Sequence, residues 1–232
     1  MSESIDYNSY LIFNPEGKIK QLEYIKNSAD LGNTCLALCN DKYGVMIAHV
    51  PLRSKLAESQ DKIFKINENS LFSFAGITND GLEIVNYLRR SSLEEDVIKD
   101  RSIHYVHSFY DLCVDAANRT LVSSSRLYGV SGMLLMDYEG IKLVEFVPTG
   151  LISVAVGVSI GNRSQSCKTI LENECENFSK TTADELINIG IRALYNANPD
   201  PAEGSLKSQD VQIYLVESGK GITKVDSSLY VH

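Results

Sequence analysis

No stretch of this 232-residue chain approaches the roughly 18 apolar residues that a membrane helix needs, so no membrane partner is expected. The opening segment Met1–Asp6 is polar and lacks the basic and apolar regions of a signal peptide, so the expectation is a protein made and kept in the cytosol. Positive charge is scarce as well. There are 22 Lys and Arg against 30 Asp and Glu, a net charge of −8. An acidic chain repels phosphate backbones, so a nucleic-acid partner is not expected. Cysteines number only five, an odd set in mostly apolar contexts: Cys35, Cys39, Cys113, Cys167 and Cys175. They suit buried free thiols better than disulfides or metal. Cys35 and Cys39 share a strand face but lie far apart along it, and no histidine follows at a zinc-like spacing. The chain also lacks an internal repeat, a low-complexity tract and a linker. What remains is a length and a 44% hydrophobic content that suit a domain with a sizeable core.

The apolar pattern divides the chain into batches of helices and strands. Asn14-Pro15-Glu16-Gly17 combines a capping side chain, a fixed φ and an acid, and marks a turn or helix entry. From Lys18 to Ala29 the apolar positions Ile19, Leu22, Ile25 and Ala29 recur at helical spacing, and Gly32 suits the residue that ends such a helix. Four antiparallel strands are expected next, at Thr34–Cys39, Val45–Val50, Ile63–Ile66 and Leu71–Ala75. Two helices follow: one starts near Thr78 with Leu82, Val85 and Leu88, the other spans about Ser102–Leu121. Strands return at Gly129–Met136, Ile141–Val147 and Leu151–Val156. A helix over about Arg163–Phe178 precedes one opened by the reciprocal capping pair Thr182 and Glu185. Val211–Val216 and Ile222–Val225 close the chain. Strands in batches argue against a parallel doubly wound sheet. Two antiparallel sheets covered by two helix pairs would bury both sheet faces, which gives an α+β protein with a four-layer α/β/β/α sandwich.

Familiar catalytic patterns are missing. There is no H-E-x-x-H, and the one G-x-S-x-G match, Gly157-Val158-Ser159-Ile160-Gly161, is not read as a nucleophile elbow. Gly129–Gly132 and Gly157–Gly161 fit neither the dinucleotide fingerprint nor the P-loop. His104 and His107 could share a helix face with Asp111 nearby, yet surface or partly buried histidines explain them better than a metal site. The acids at Glu94-Glu95-Asp96 and Glu172–Glu176 suit solvated helix faces.

One segment is more specific. Asn14-Pro15-Glu16-Gly17-Lys18-Ile19-Lys20-Gln21-Leu22-Glu23-Tyr24 resembles the signature at the head of proteasome alpha subunits. Leu56–Ile63, Ala75-Gly76-Ile77-Thr78, Tyr128-Gly129-Val130 and Ser159-Ile160-Gly161 follow in that family's order, so the resemblance covers nearly the whole chain. Ser159–Ser166, with Asn86 before Tyr87-Leu88-Arg89, is most similar to the family's type-1 branch. The resemblance implies the Ntn-hydrolase fold, with residues 1–31 as an N-terminal gate tail and ring-contact helix and residues 32–232 as one sandwich domain. It implies a non-catalytic member of the outer hetero-heptameric ring of the 20S core. The expected partners are other alpha subunits, beta-ring subunits, and regulatory-particle ATPases or other activators. The expected setting is ubiquitin-dependent degradation in cytoplasm and nucleus, with no cofactor.

The alternative is a catalytic beta-type subunit of the same fold. Its chemistry needs a threonine freed at the N-terminus, whose amine takes up the hydroxyl proton. The resemblance places Asn33 at that position. It places Ala48-His49-Val50-Pro51-Leu52-Arg53 where a catalytic aspartate would end the second strand, and no carboxylate occurs between Asp41 and Glu58. Lys62 matches the lysine that would lower the nucleophile's pKa. In alpha subunits that lysine lies in a pocket for an activator's C-terminal carboxylate, with Gly32 and Ile77 at the other pocket positions. Tyr7, Pro15 and Tyr24 match positions that order the tail when the gate opens. Two departures stand out. The family's Tyr-Asp pair is met by Asp6-Tyr7-Asn8, and its Arg-Pro-Tyr-Gly motif is met by Arg126-Leu127-Tyr128-Gly129.

Overall fold

The structure, a computed structural model, describes residues 12–52, 54, 56–98, 109–112, 114–115, 118, 126–147, 149–197 and 206–231. Among the described residues, ten strands form two five-stranded antiparallel sheets. The first sheet contains β1 (Cys35–Cys39), β2 (Tyr43–His49), β8 (Gly157–Ile160), β9 (Val211–Glu217) and β10 (Gly221–Val225), in the order β10-β9-β2-β1-β8. The second runs β3 (Ile63–Asn67), β4 (Ser70–Gly76), β5 (Val130–Asp137), β6 (Ile141–Phe146), β7 (Ile152–Ala155).

Alternation along β1 shows how the layers arise. Cys35, Ala37 and Cys39 enter an apolar cluster with Leu71, Met133, Leu135 and Leu143 of the facing sheet. Leu36 and Leu38 point the other way, into a cluster with Cys167, Leu186, Ile187 and Leu194. Those residues lie on α3 (Ser164–Glu174) and α4 (Ala183–Ala197). A strand buried on both faces has no polar alternation to show. On the outer face of the second sheet, Phe72, Phe74 and Phe146 pack with Ile84, Val85 and Leu88 of α2 (Thr78–Ile98), and with Phe109 and Leu112. Three apolar layers between four structural layers make the expected α/β/β/α sandwich. Residues 109–112, 114, 115 and 118 are helical. The rest of the expected 102–121 helix, with His104, His107 and Cys113, lies outside the described residues.

The differences from expectation are local. Gly157–Ile160 forms a strand that was not anticipated, because four residues with a glycine carry no readable period. In α2 it is Ile84, not Leu82, that joins Val85 and Leu88 in the core; Leu82 is exposed. Cys35, Cys39 and Cys167 are buried free thiols as expected, but Cys175 is exposed because the chain leaves α3 through a 3-10 turn there. Among the described residues, no helix is long and apolar enough to cross a membrane.

The α4 entry forms as the sequence implies. Thr182 N donates to Glu185 Oε2 at 2.7 Å, and Glu185 N donates to Thr182 Oγ1 at 3.4 Å. Replacing Thr182 with Ala removes one acceptor from the helix end and should cost about 1 kcal/mol. The urea midpoint should fall with an unchanged slope, and Thr182→Ser should stay near wild type.

Candidate functional site

Helix α1 (Lys20–Asp30) leads straight into β1, and the join is built on backbone contact. Gly32 N donates to Ala29 O at 3.2 Å, which closes the helix. A Cβ at Gly32 would sit 2.5 Å from Gly76 N, at the end of β4 in the other sheet. Gly76 has φ +125°, and a Cβ there would overlap the Gly129 carbonyl oxygen. On the opposite side, a Cβ at Gly161 would stand 2.5 Å from Asn33 O. Gly32, Gly76 and Gly161 therefore bring β8, β1, β4 and the entry to β5 into contact where no side chain fits.

The same end holds the position expected of a nucleophile. Asn33 is half-buried and lines a cavity of about 130 Å³ with Pro51, Glu58, Asp61, Lys62 and Thr78. Its carboxamide has no nucleophilic hydroxyl. Thr34 is only 4% exposed, and its Oγ1 donates to Asn162 O at 2.7 Å. Its backbone nitrogen lies within the run from α1 into β1. At the end of β2 the cavity is lined by Val50 and Pro51, with no carboxylate from that strand.

Of the three expected pocket residues, only Lys62 lines the cavity; Gly32 and Ile77 are represented by their chain neighbours Asn33 and Thr78. The Lys62 Nζ lies 5.2 Å from the centroid of the Phe74 ring, near enough for a cation–π contact. Gly32 has no side chain because Gly76 occupies the space. Ile77 is 39% exposed, and its N donates to Gly129 O at 3.0 Å. Glu58 and Asp61, from the loop after β2, also line the cavity, and sequence reasoning missed them. It missed Gln212 too. Gln212 Oε1 accepts from Lys62 N at 3.0 Å, and its Nε2 donates to Asp61 Oδ1 at 3.1 Å. Only the pairing of β2 with β9, Ala48 opposite Gln212, brings that residue here.

Pro15 is exposed in a turn closed by Asn14, whose Oδ1 accepts from Glu16 N at 3.1 Å and from Lys18 N at 2.8 Å. Asn14 thus caps its own turn rather than α1, which starts at Lys20 without a side-chain cap. Tyr24 is half-exposed on α1. Tyr7 lies outside the described residues. A larger cavity, about 720 Å³, opens at the far end of β1 beside Cys39, Val154, Leu171 and Phe178, and includes none of these residues.

Comparison with known proteins now bears on this arrangement. A family model described as proteasome subunit matches residues 29–216. The chain belongs to the proteasome subunit family. It is 31% identical over 218 residues to proteasome subunit alpha type-6 of Saccharomyces cerevisiae, covering 92% of each chain. It is 29% identical over 225 residues to proteasome subunit alpha type-1 of Dictyostelium discoideum, covering 95% of this chain and 90% of that one. The alpha type-1 subunit of Drosophila melanogaster is 29% identical over 215 residues, 91% of this chain and 77% of its own. The chain is of the non-catalytic alpha type, and Asn33 and the engaged Thr34 hydroxyl give the chemical reason. As a proteasome subunit of this type, it assembles with other subunits of the particle.

His49, at the end of β2, provides a measurable consequence of packing at this end. Burial lowers its pKa below the ordinary 6.5, and nearby Asp210 offsets part of that shift. The unfolded chain therefore binds this proton more readily than the folded one. Stability should fall as pH drops below about 6.5 toward the depressed folded value. Urea midpoints measured across that window should decline for wild type and decline less for His49→Gln.

Proposed function

We propose that this chain is a structural and gating subunit of the outer ring of the 20S core, and that the Lys62 cavity receives the C-terminus of an activator such as a regulatory-particle ATPase. The observation that carries this reading is a lysine retained in a cavity whose nucleophile position is Asn33. An ammonium at the base of a pocket holds a terminal carboxylate as a point charge. The flanking Glu58 and Asp61 suit an extended peptide, which brings backbone N–H donors as well as a carboxylate. A bare inorganic anion would bring no donors for them. Gly32 and Ile77 immediately precede the cavity-lining Asn33 and Thr78 in the chain.

Residues 1–31 act in this reading as a unit of tail and ring-contact helix, with Tyr7, Pro15 and Tyr24 ordering the tail when the axial gate opens. The particle works in ubiquitin-dependent degradation in cytoplasm and nucleus. The beta-type peptidase reading finds no support, because neither Asn33 nor Thr34 offers a hydroxyl beside a free amine.

The test uses reconstituted core particles. Lys62→Glu should leave particle assembly intact, as judged by native mass spectrometry. It should reduce peptide hydrolysis stimulated by the regulatory particle by about tenfold, the loss typical of an unpaired charge contact at a docking site. Unchanged stimulation in assembled Lys62→Glu particles would rule this pocket out as a docking site.

A further inference from the structure

The Lys62 cavity carries more negative than positive charge. Of the residues that line it, Glu58, Asp61 and Lys62 are charged, two carboxylates against one ammonium. Among the described residues, none of the three forms an ion pair. The Lys62 ammonium stands over the Phe74 ring, 5.2 Å from its centroid. All three charges are thus open to a ligand.

Asp61 is exposed, yet its carboxylate is held in place. Gln212, buried on β9, donates from Nε2 to Asp61 Oδ1 at 3.1 Å, and its Oε1 accepts from Lys62 N at 3.0 Å. A carboxamide that donates at one end and accepts at the other cannot flip without losing both bonds. Lys62 O accepts in turn from the buried Ser73 Oγ at 2.8 Å. Asp61 and Lys62 therefore present opposite charges from adjacent, anchored positions. A terminal carboxylate alone would satisfy Lys62 and face Asp61 and Glu58 with like charge. Backbone N–H donors relieve that only in part, since they are neutral and the carboxylates carry full charges.

We propose that this cavity selects peptide C-termini with a lysine or arginine immediately before the terminal residue. The terminal carboxylate meets Lys62, and the basic side chain beside it meets Asp61, with Glu58 adding attraction of the same sign. Adjacent opposite charges on the ligand answer adjacent opposite charges on the wall. The cavity is small, about 130 Å³, so cation and carboxylate must lie close together. The inference rests on the pocket reading above and adds the sequence class of the tail, which that reading leaves open.

The experiment uses assembled core particles and the heptapeptides Gly-Ser-Gly-Ser-Leu-Xaa-Leu, where Xaa is lysine, alanine or glutamate and the N-terminus carries a benzophenone. The intact mass of this chain after irradiation counts the adducts that it alone receives, and the peptide concentration at half-saturation is the readout. The lysine peptide should half-saturate this chain at a concentration about fivefold below the alanine peptide, as a solvent-exposed ion pair allows, and the glutamate peptide at one above it. The preference should shrink in raised salt. Asp61→Asn keeps an acceptor for Gln212 and should abolish the lysine preference without weakening the alanine peptide. Asp61→Lys should make the glutamate peptide the tightest of the three. Equal half-saturation by the three peptides, with adducts lost in Lys62→Ala particles, would overturn the selectivity and leave the pocket reading standing. Adducts formed equally by wild-type and Lys62→Ala particles would overturn the pocket reading, and the selectivity with it.

Discussion

The close backbone approach of Gly161, Gly32, Gly76 and Gly129 is the constraint on which the rest of the structure depends. It brings the two sheets together at one end and sets where α1 must leave the sandwich. A β-carbon at Gly32 would lie 2.5 Å from Gly76 N and 3.0 Å from the Ala75 Cα and carbonyl carbon, all three backbone atoms that cannot rotate away. The contact therefore fixes the distance from α1 to β4, and with it the position of Asn33 at the cavity wall. It also explains why Gly32 belongs to the pocket region without lining the pocket. Its missing side chain makes room for the other sheet.

Much of the layer order was legible in the sequence because apolar residues on β1 and β2 come in short continuous runs, and α4 has a capped, strongly one-sided pattern. The β8 strand was not legible, because Gly157–Ile160 is too short to show a period and its identity as a strand depends on pairing with β1. The site was legible in part. Lys62 and Asn33 could be placed from the resemblance, and they do line one cavity. Gln212 could not be placed, since it lies on β9 and only the sheet register returns it to Lys62.

Loss of catalysis and retention of a pocket have one structural origin. The chain that would have to be cut before a nucleophile is here the chain that forms α1 and docks through Ile25 on Leu127. Keeping α1 means keeping a peptide bond at Asn33, so the amine required for N-terminal chemistry cannot exist while the helix is attached. Thr34 is withdrawn as well, with its hydroxyl committed to the carbonyl of Asn162. The remaining lysine has no hydroxyl to activate.

The most direct test of that account is the intact mass of this chain after core particles react with a peptide epoxyketone, which captures the paired amine and hydroxyl of an N-terminal threonine. The account predicts that catalytic subunits gain the adduct while this chain keeps its mass and the peptide bonds flanking Asn33. An adduct on this chain, or a mature chain beginning at Asn33 or Thr34, would contradict it.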